Sequence, residues 1–447
     1  MMTDLLAATV ILIVLGSVMI ITKLCSKKLT LETSRKIIHI TMGCVALSFP
    51  YIFMYKLSVI CLGVLALTAL LFLRKNKSLR EGVGNALLGV SRKSFGEIYF
   101  VISIVIVFVL HKSVFEYLIP ISVLTFADSA AALIGTSYGR TNLAHEQEDA
   151  KSSEGSIIFF IVAFICTLVP LQLMTEIGRA EVLVISFLIG FLAAMIELVS
   201  RNGNDNLLLP LLTYSFLRYN SEQSLDLLFT NFGIMLFFSV AIFIVYKITN
   251  ISKLSIVYSL LVAYVIMVQG GMIWIIPPLM LFLTFGILPM MKDEEKQLEQ
   301  TYKVIECNSI IGVTSLWVAV FYPQYRDILY LAFSLSFACH LAINTYNRFV
   351  HFVKSGKSQA IFCALAKAIV FIALPTLVFT KMNGAVFALY VMFIAASIPL
   401  VVSLNNKYDY SKVGNDTLRA NKILVGTLTA LFALILMITV KFYDIFR

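Results

Sequence analysis

Four carboxylates, Asp128, Glu154, Glu197 and Asp205, and four cations, Arg35, Arg92, Lys93 and Lys151, stand out from an otherwise apolar chain. Carboxylates without a matching set of cysteine or histidine ligands suit a hard cation such as Mg2+. Cations beside glycine-rich backbone suit a polyphosphate. Together they predict phosphoryl or nucleotidyl transfer, in which positioning and charge neutralisation do most of the catalysis. Asp128 is the sharpest signal, because it lies inside the apolar run YLIPISVLTFADSAAALIGTSY, residues 117–138. A carboxylate at the centre of a membrane helix costs about 2.5–3.5 kcal/mol on insertion scales and needs a partner or a task. Small residues follow it (Ala130, Ala131, Ala132, Gly135, Gly139), and then a polar loop ending in KSSEGS, Lys151–Ser156.

The elements that must position these groups are membrane helices. The 447 residues are 60% hydrophobic and only 13% charged, far from the balance of a soluble domain, and apolar runs recur from end to end. The expected fold is an all-α polytopic transmembrane bundle with about 14–16 spans. The opening run carries Asp4 before it and Lys23, Lys27 and Lys28 after it, the wrong order for a cleavable signal. Seven scattered cysteines without a CxxC pair predict neither a disulfide framework nor a zinc site.

The net charge of +10 reads as a topology signal. One set of alternate loops holds 26 of the 35 Lys and Arg residues, the opposite side holds 8, and Lys367 lies within a span. The positive-inside rule puts the richer side in the cytosol. The short run 207–217, which contains Pro210, must cross for that bias to persist into the second half. No basic patch interleaved with aromatics lies in a soluble segment, so no nucleic-acid partner is expected, and nothing in the sequence names a protein partner.

On this topology four polar clusters share the cytosolic face. They are RKIIHI (residues 35–40), in which Arg35, His39 and Gly43 recur on one helix face; the glycine-rich segment 74–97; Asp128 to Ser156; and Glu197 to Pro210. Each cluster also has a plainer reading. Arg35, Lys36, Arg92 and Lys93 read equally as membrane anchors, His39 as a buried hydrogen-bonding residue, and Glu97 as a solvated loop end. Gly135 and Gly139 read also as a helix-packing pair, and Lys367 as a snorkelling or paired side chain. Neither a phosphate-binding P-loop nor a GxSxG elbow occurs, which excludes soluble-type kinases and hydrolases built on them.

Five motifs in order, RKIIHITMG, FGEIYF, DSAAALIGTSYGR, KSSEGS and NDNLLLPLLTY, resemble the polyprenol kinase family. That family comprises the phytol, farnesol and dolichol kinases and is related to the phosphatidate cytidylyltransferases. The resemblance covers about residues 30–220. It implies transfer of the γ-phosphoryl group of CTP, or another nucleoside triphosphate, to a membrane-dissolved isoprenoid alcohol, with Mg2+ as cofactor and a cytosol-facing site. Carried over residue by residue, it implies Asp128, Asp205 and Asn206 at the metal, Gly135 and Gly139 close to the nucleotide, and Lys151 on the phosphates. Glu154, Gly155 and Ser156 would shape the same loop, and Arg35, Lys36 and His39 would complete the polar rim. Asp205 and Glu197 both remain candidates to take the alcohol's proton. A cytidylyltransferase making a CDP-activated lipid and a non-catalytic lipid transporter are the competing readings.

The expected division is a catalytic membrane domain at 1–226 and a second helical membrane domain at 227–447. In the latter, QTYKVIECNSIIGV resembles the opening of the family that includes phytyl-phosphate kinases. The stretch SFACHLAINTYNRF, Ser336–Phe349, lacks the acids that family carries in its later helices, which implies a degenerate or structural half.

Overall fold

The computed structural model describes residues 2–24, 31–76, 95–139, 151–201, 203–248, 253–284, 302–351, 353–380 and 384–405. Among the described residues the protein is a helical membrane bundle without a strand. Eight helices are long and apolar enough to span a bilayer, and five shorter apolar helices accompany them. The last expected crossing, 423–440, lies outside the described residues. The chain divides into two compact units, Met1–Gly233 and Ile234–Arg447.

Unit one contains α1 (Met2–Leu24), α2 (Leu31–Leu47), α3 (Lys56–Lys75), α4 (Gly96–Leu110), α5 (Val114–Ser122) and α6 (Asp128–Tyr138). It continues with α7 (Ser153–Met174), α8 (Arg179–Val199), α9 (Asp205–Ser221) and the start of α10 (Leu225–Ile248). The span Val114–Tyr138 is its central element and packs against α2, α4, α7 and α9. It is not one regular helix. Pro120 removes a backbone donor and crowds the carbonyl one turn back, and a π-helical segment follows at Val123–Ala127. Ser122, Thr125 and Ser129 return their hydroxyls to the carbonyls of Ile119, Ile121 and Thr125 at 2.9, 2.7 and 2.7 Å, so none of these three is stranded. The widened turn ends at Asp128.

The run 207–217 lies within α9, a 17-residue helix about 26 Å long at 1.5 Å per residue. One end of α9 holds Asp205; near the other, Arg218 pairs with Glu116 at 3.9 Å. It therefore traverses unit one, with Leu209, Pro210, Tyr214 and Phe216 buried on the way. Charged groups at the far end are occupied with capping and pairing. Glu116 accepts from the Lys112 backbone N–H at 2.8 Å, and Lys56 Nζ donates to the Val109 carbonyl at 2.6 Å.

Unit two is built on a buried helix. After α11 (Lys253–Gly270), α12 (Met272–Phe282) and α13 (Tyr302–Phe321) comes α14 (Arg326–His351), which the others enclose together with α15 (Lys357–Ala368), a π segment (Ile369–Ala373), α16 (Leu374–Thr380) and α17 (Gly384–Asn405). Arg326 enters α14 by donating to the Gly270 carbonyl at the end of α11, 2.9 Å away. Tyr390 donates to Ser334 Oγ at 3.0 Å in the interior. Lys367 Nζ donates to the Thr284 carbonyl at 2.9 Å, so it is a paired side chain. Ser336–Phe349, the acid-free stretch, belongs to α14 itself.

Candidate functional site

At one end of unit one, three helices bring their carboxylates together. Asp128 opens α6, Glu197 lies in the last turn of α8, and Asp205 opens α9. One oxygen from each lies within 4.8 Å of the others. The α8–α9 connection makes this possible: Gly203 takes φ 83°, a left-handed value that costs glycine little, and the chain reverses within a few residues. Asn206 then fastens α9 to α4, its amide donating to the Gly96 carbonyl at 2.9 Å.

Two lysines face this acidic group from outside it. Lys36 on α2, 6% exposed, places Nζ 2.6 Å from Asp128 Oδ2. Lys151, immediately before α7, places Nζ 2.6 Å from Glu197 Oε1 and also donates to the Glu197 carbonyl. Its position follows from the helix start: Ser152 is the N-cap, accepting from the Gly155 N–H at 3.1 Å, which orients the residue before it. Glu197 is itself only 9% exposed, and its second oxygen, Oε2, has no hydrogen-bond partner. Asp205 Oδ1 accepts from the Asn206 backbone N–H at 3.1 Å.

His39, one turn along α2 from Lys36, has Nε2 3.2 Å from the Leu124 carbonyl and 3.6 Å from Asp128 Oδ2. A carbonyl only accepts, so this nitrogen carries the proton and the ring is a donor beside the acid. The next turn brings Gly43 against Thr125, where a Cβ would lie 2.1 Å from Oγ1. The face that meets the central span is therefore Lys36–His39–Gly43. His39 and Gly43 of the expected stripe keep that face, while Lys36 takes the place beside Asp128 and Arg35 is its part-exposed neighbour.

The other expected residues separate from the acidic group. Gly135, Gly139 and Gly155 are consumed by packing: Ser152 occupies the space beside Gly135 and Gly139, and the Ala131 carbonyl and Ser152 Oγ lie 3.1 Å from a Cβ on Gly155. Their Cβ directions meet the Ser152 turn, as the packing-pair reading expects. Glu154 accepts from Ser153 Oγ at 3.2 Å and is not one of the three converging acids; Ser156 donates to the Ser152 carbonyl at 3.2 Å. Asn206, beside Asp205, donates its amide nitrogen to the Gly96 carbonyl, and Glu197 is the third carboxylate of the group. Glu97 is not a solvated loop end: Arg74 Nε donates to it at 2.7 Å while the guanidinium lies 4.5 Å over the Phe95 ring. Ser152 was not singled out from the sequence, although a serine three residues before Gly155 at a loop-to-helix junction is a readable cap. Arg92 and Lys93 lie outside the described residues.

Carboxylate oxygens this close repel one another where solvent screening is reduced, and two of the three are offset by ammonium groups. The donor set is all hard oxygen, with one buried oxygen unpartnered, and such a set fits Mg2+ in chemistry. Comparison with protein-family models, curated proteins and solved structures finds no significant match to this chain.

Proposed function

We propose that the protein is an integral membrane kinase that moves the γ-phosphoryl group of CTP, or another nucleoside triphosphate, to the hydroxyl of an isoprenoid alcohol such as phytol, farnesol or dolichol. One observation carries the reading: Asp128, Glu197 and Asp205 converge from separate helices within a membrane bundle, with Lys36 and Lys151 against them. Intramembrane charges that meet in this way are kept for a task, because each is costly to bury. The ordered motifs of residues 30–220 support the same reading.

In this scheme the three carboxylates hold Mg2+, which when bound neutralises charge on the triphosphate. Lys36, Lys151 and the neighbouring Arg35 attract the phosphate oxygens, and His39 donates beside Asp128. The alcohol oxygen forms a bond to the γ-phosphorus, the bond from that phosphorus to the β–γ bridging oxygen breaks, and nucleoside diphosphate leaves. The hydroxyl proton passes to a carboxylate of the group. The alcohol reaches the site from the bilayer and the nucleotide from the cytosol, the side that the excess of Lys and Arg marks.

The test is label transfer. Purified protein in lipid nanodiscs receives γ-labelled CTP and a panel of prenols, and labelled prenyl monophosphate is expected. Asp128→Asn and Asp205→Asn should each lower the rate by about 100-fold or more, the scale for removing one preorganised charge. Label entering lipid only from the α-phosphate would replace this reading with cytidylyl transfer. Nucleotide-independent lipid flux in liposomes without any label transfer would replace it with transport.

A further inference from the structure

The two lysines do more than balance charge. Lys36 Nζ and Lys151 Nζ each sit 2.6 Å from an oxygen of the acidic group, the distance of a full ion pair. Both ammonium groups are also anchored by carbonyls at the same place, Lys36 by that of Asp128 at 3.5 Å and Lys151 by that of Glu197. A cation seated among Asp128, Glu197 and Asp205 would lie beside the ammonium groups that hold two of these carboxylates, and like charges disfavour each other at such range. Glu197 Oε2, buried and without a hydrogen-bond partner, is an oxygen that neither lysine holds. A triphosphate offers the lysines an alternative set of acceptors.

We propose that Lys36 and Lys151 are built-in counter-ions that compete with a divalent cation for the carboxylate group, so that cation and nucleotide bind cooperatively and the cation binds weakly alone. The inference rests on the kinase reading for the identity of the second ligand. The competition itself needs only the distances above. The triphosphate draws the ammonium groups off the carboxylates, the freed oxygens take the cation, and by reciprocity the cation favours the nucleotide to the same degree. Neither ion pair is a passive strut in this account: each is the resting form of a group that changes partner.

Mn2+ binding, followed by electron paramagnetic resonance on the full-length protein in detergent, reads this without any turnover. Without nucleotide, Lys151→Met and Lys36→Met should each bind Mn2+ on the order of tenfold more tightly than wild type, the effect of removing one like charge at close range. Lys151→Arg, which keeps the charge, should stay near wild type. Adding a non-hydrolysable CTP analogue should tighten Mn2+ binding to wild type by about 5-fold or more and should do much less for the methionine variants. Adding Asp205→Asn to Lys151→Met should remove the gain, locating the cation. Unchanged or weaker Mn2+ binding in monodisperse Lys151→Met would overturn the proposal. Should both methionine variants aggregate, wild-type Mn2+ affinity that is the same with and without the analogue would overturn it. Loss of the kinase reading leaves the nucleotide-free arm intact, whereas normal prenol phosphorylation with no gain in that arm removes the counter-ion role alone.

Discussion

Lys36 and Asp128 form a pair whose two members cannot be removed separately at equal cost. With side-chain exposures of 7% and 14%, both are largely out of solvent. Breaking a buried pair from one side leaves an uncompensated charge and costs about 3–5 kcal/mol, whereas replacing both partners with apolar groups of similar volume is often neutral. Asp128→Ala should therefore lower thermal stability in detergent sharply. The double variant Lys36→Met/Asp128→Leu should recover most of that loss while remaining inactive. A double-mutant cycle in which the two single losses simply add would disprove the pairing. This pair also marks how far residues can be read from sequence alone. Asp128 was legible because charge inside an apolar run is anomalous wherever the run packs, and Lys151 and Asp205 because each lies in a polar cluster at the end of a span. Choosing between Arg35 and Lys36 was not, because adjacent helical residues differ by about 100° in direction and only the position of the neighbouring helix decides between them. Glu197 was legible as an acid, but its meeting with the other two depends on a reversal at Gly203 that no spacing encodes.

Among the elements, glycine decides how closely α2 and α7 approach the central span, and its three contacts are unequal. A Cβ on Gly135 would meet the tip of Ser152 at 3.0 Å and the Gly155 Cα at an ordinary 3.7 Å, whereas one on Gly139 would meet the Gly135 carbonyl at 2.3 Å and Ser152 Cβ at 2.7 Å. Gly139→Ala should thus cost about 1–3 kcal/mol, the usual range for overpacking, and Gly135→Ala clearly less. Equal melting temperatures for the two would contradict this contact. Gly43→Ala drives into Thr125 at 2.1 Å from Oγ1 and 2.4 Å from Cγ2, and should push Lys36 and His39 off Asp128. Adding Thr125→Ala removes both atoms, so the double variant should regain part of the lost stability, read as melting temperature in detergent. Helix existence was legible here from apolar run length. The π segment at Val123–Ala127 was not, since a one-residue widening leaves the apolar pattern intact and only Pro120 hints at it.

At the scale of the molecule, every residue of the acidic group and both of its lysines belong to the unit Met1–Gly233, and no comparable cluster of acids occurs in the second unit among the described residues. The orientation of that unit is then the remaining question of function, because a water-soluble nucleotide must arrive from one side. The helices α7 and α8, 22 and 21 residues long, run antiparallel as neighbours: Lys151 precedes the first, Glu197 ends the second, and Thr175–Gly178 joins them at the opposite end. Each is long and apolar enough to cross. The Lys151–Glu197 contact therefore pins two loop ends to one leaflet whatever the charge rule says, and the charge rule independently chooses which leaflet. The basic excess predicts that this end faces the cytosol. In a cysteine-free background, Glu176→Cys should react with an impermeant thiol reagent applied outside intact cells, while Asn204→Cys should react only after permeabilisation. The reverse pattern would put the acidic group on the outer face, where cytosolic nucleotide cannot reach it, and would defeat the kinase reading even with every distance at the site unchanged.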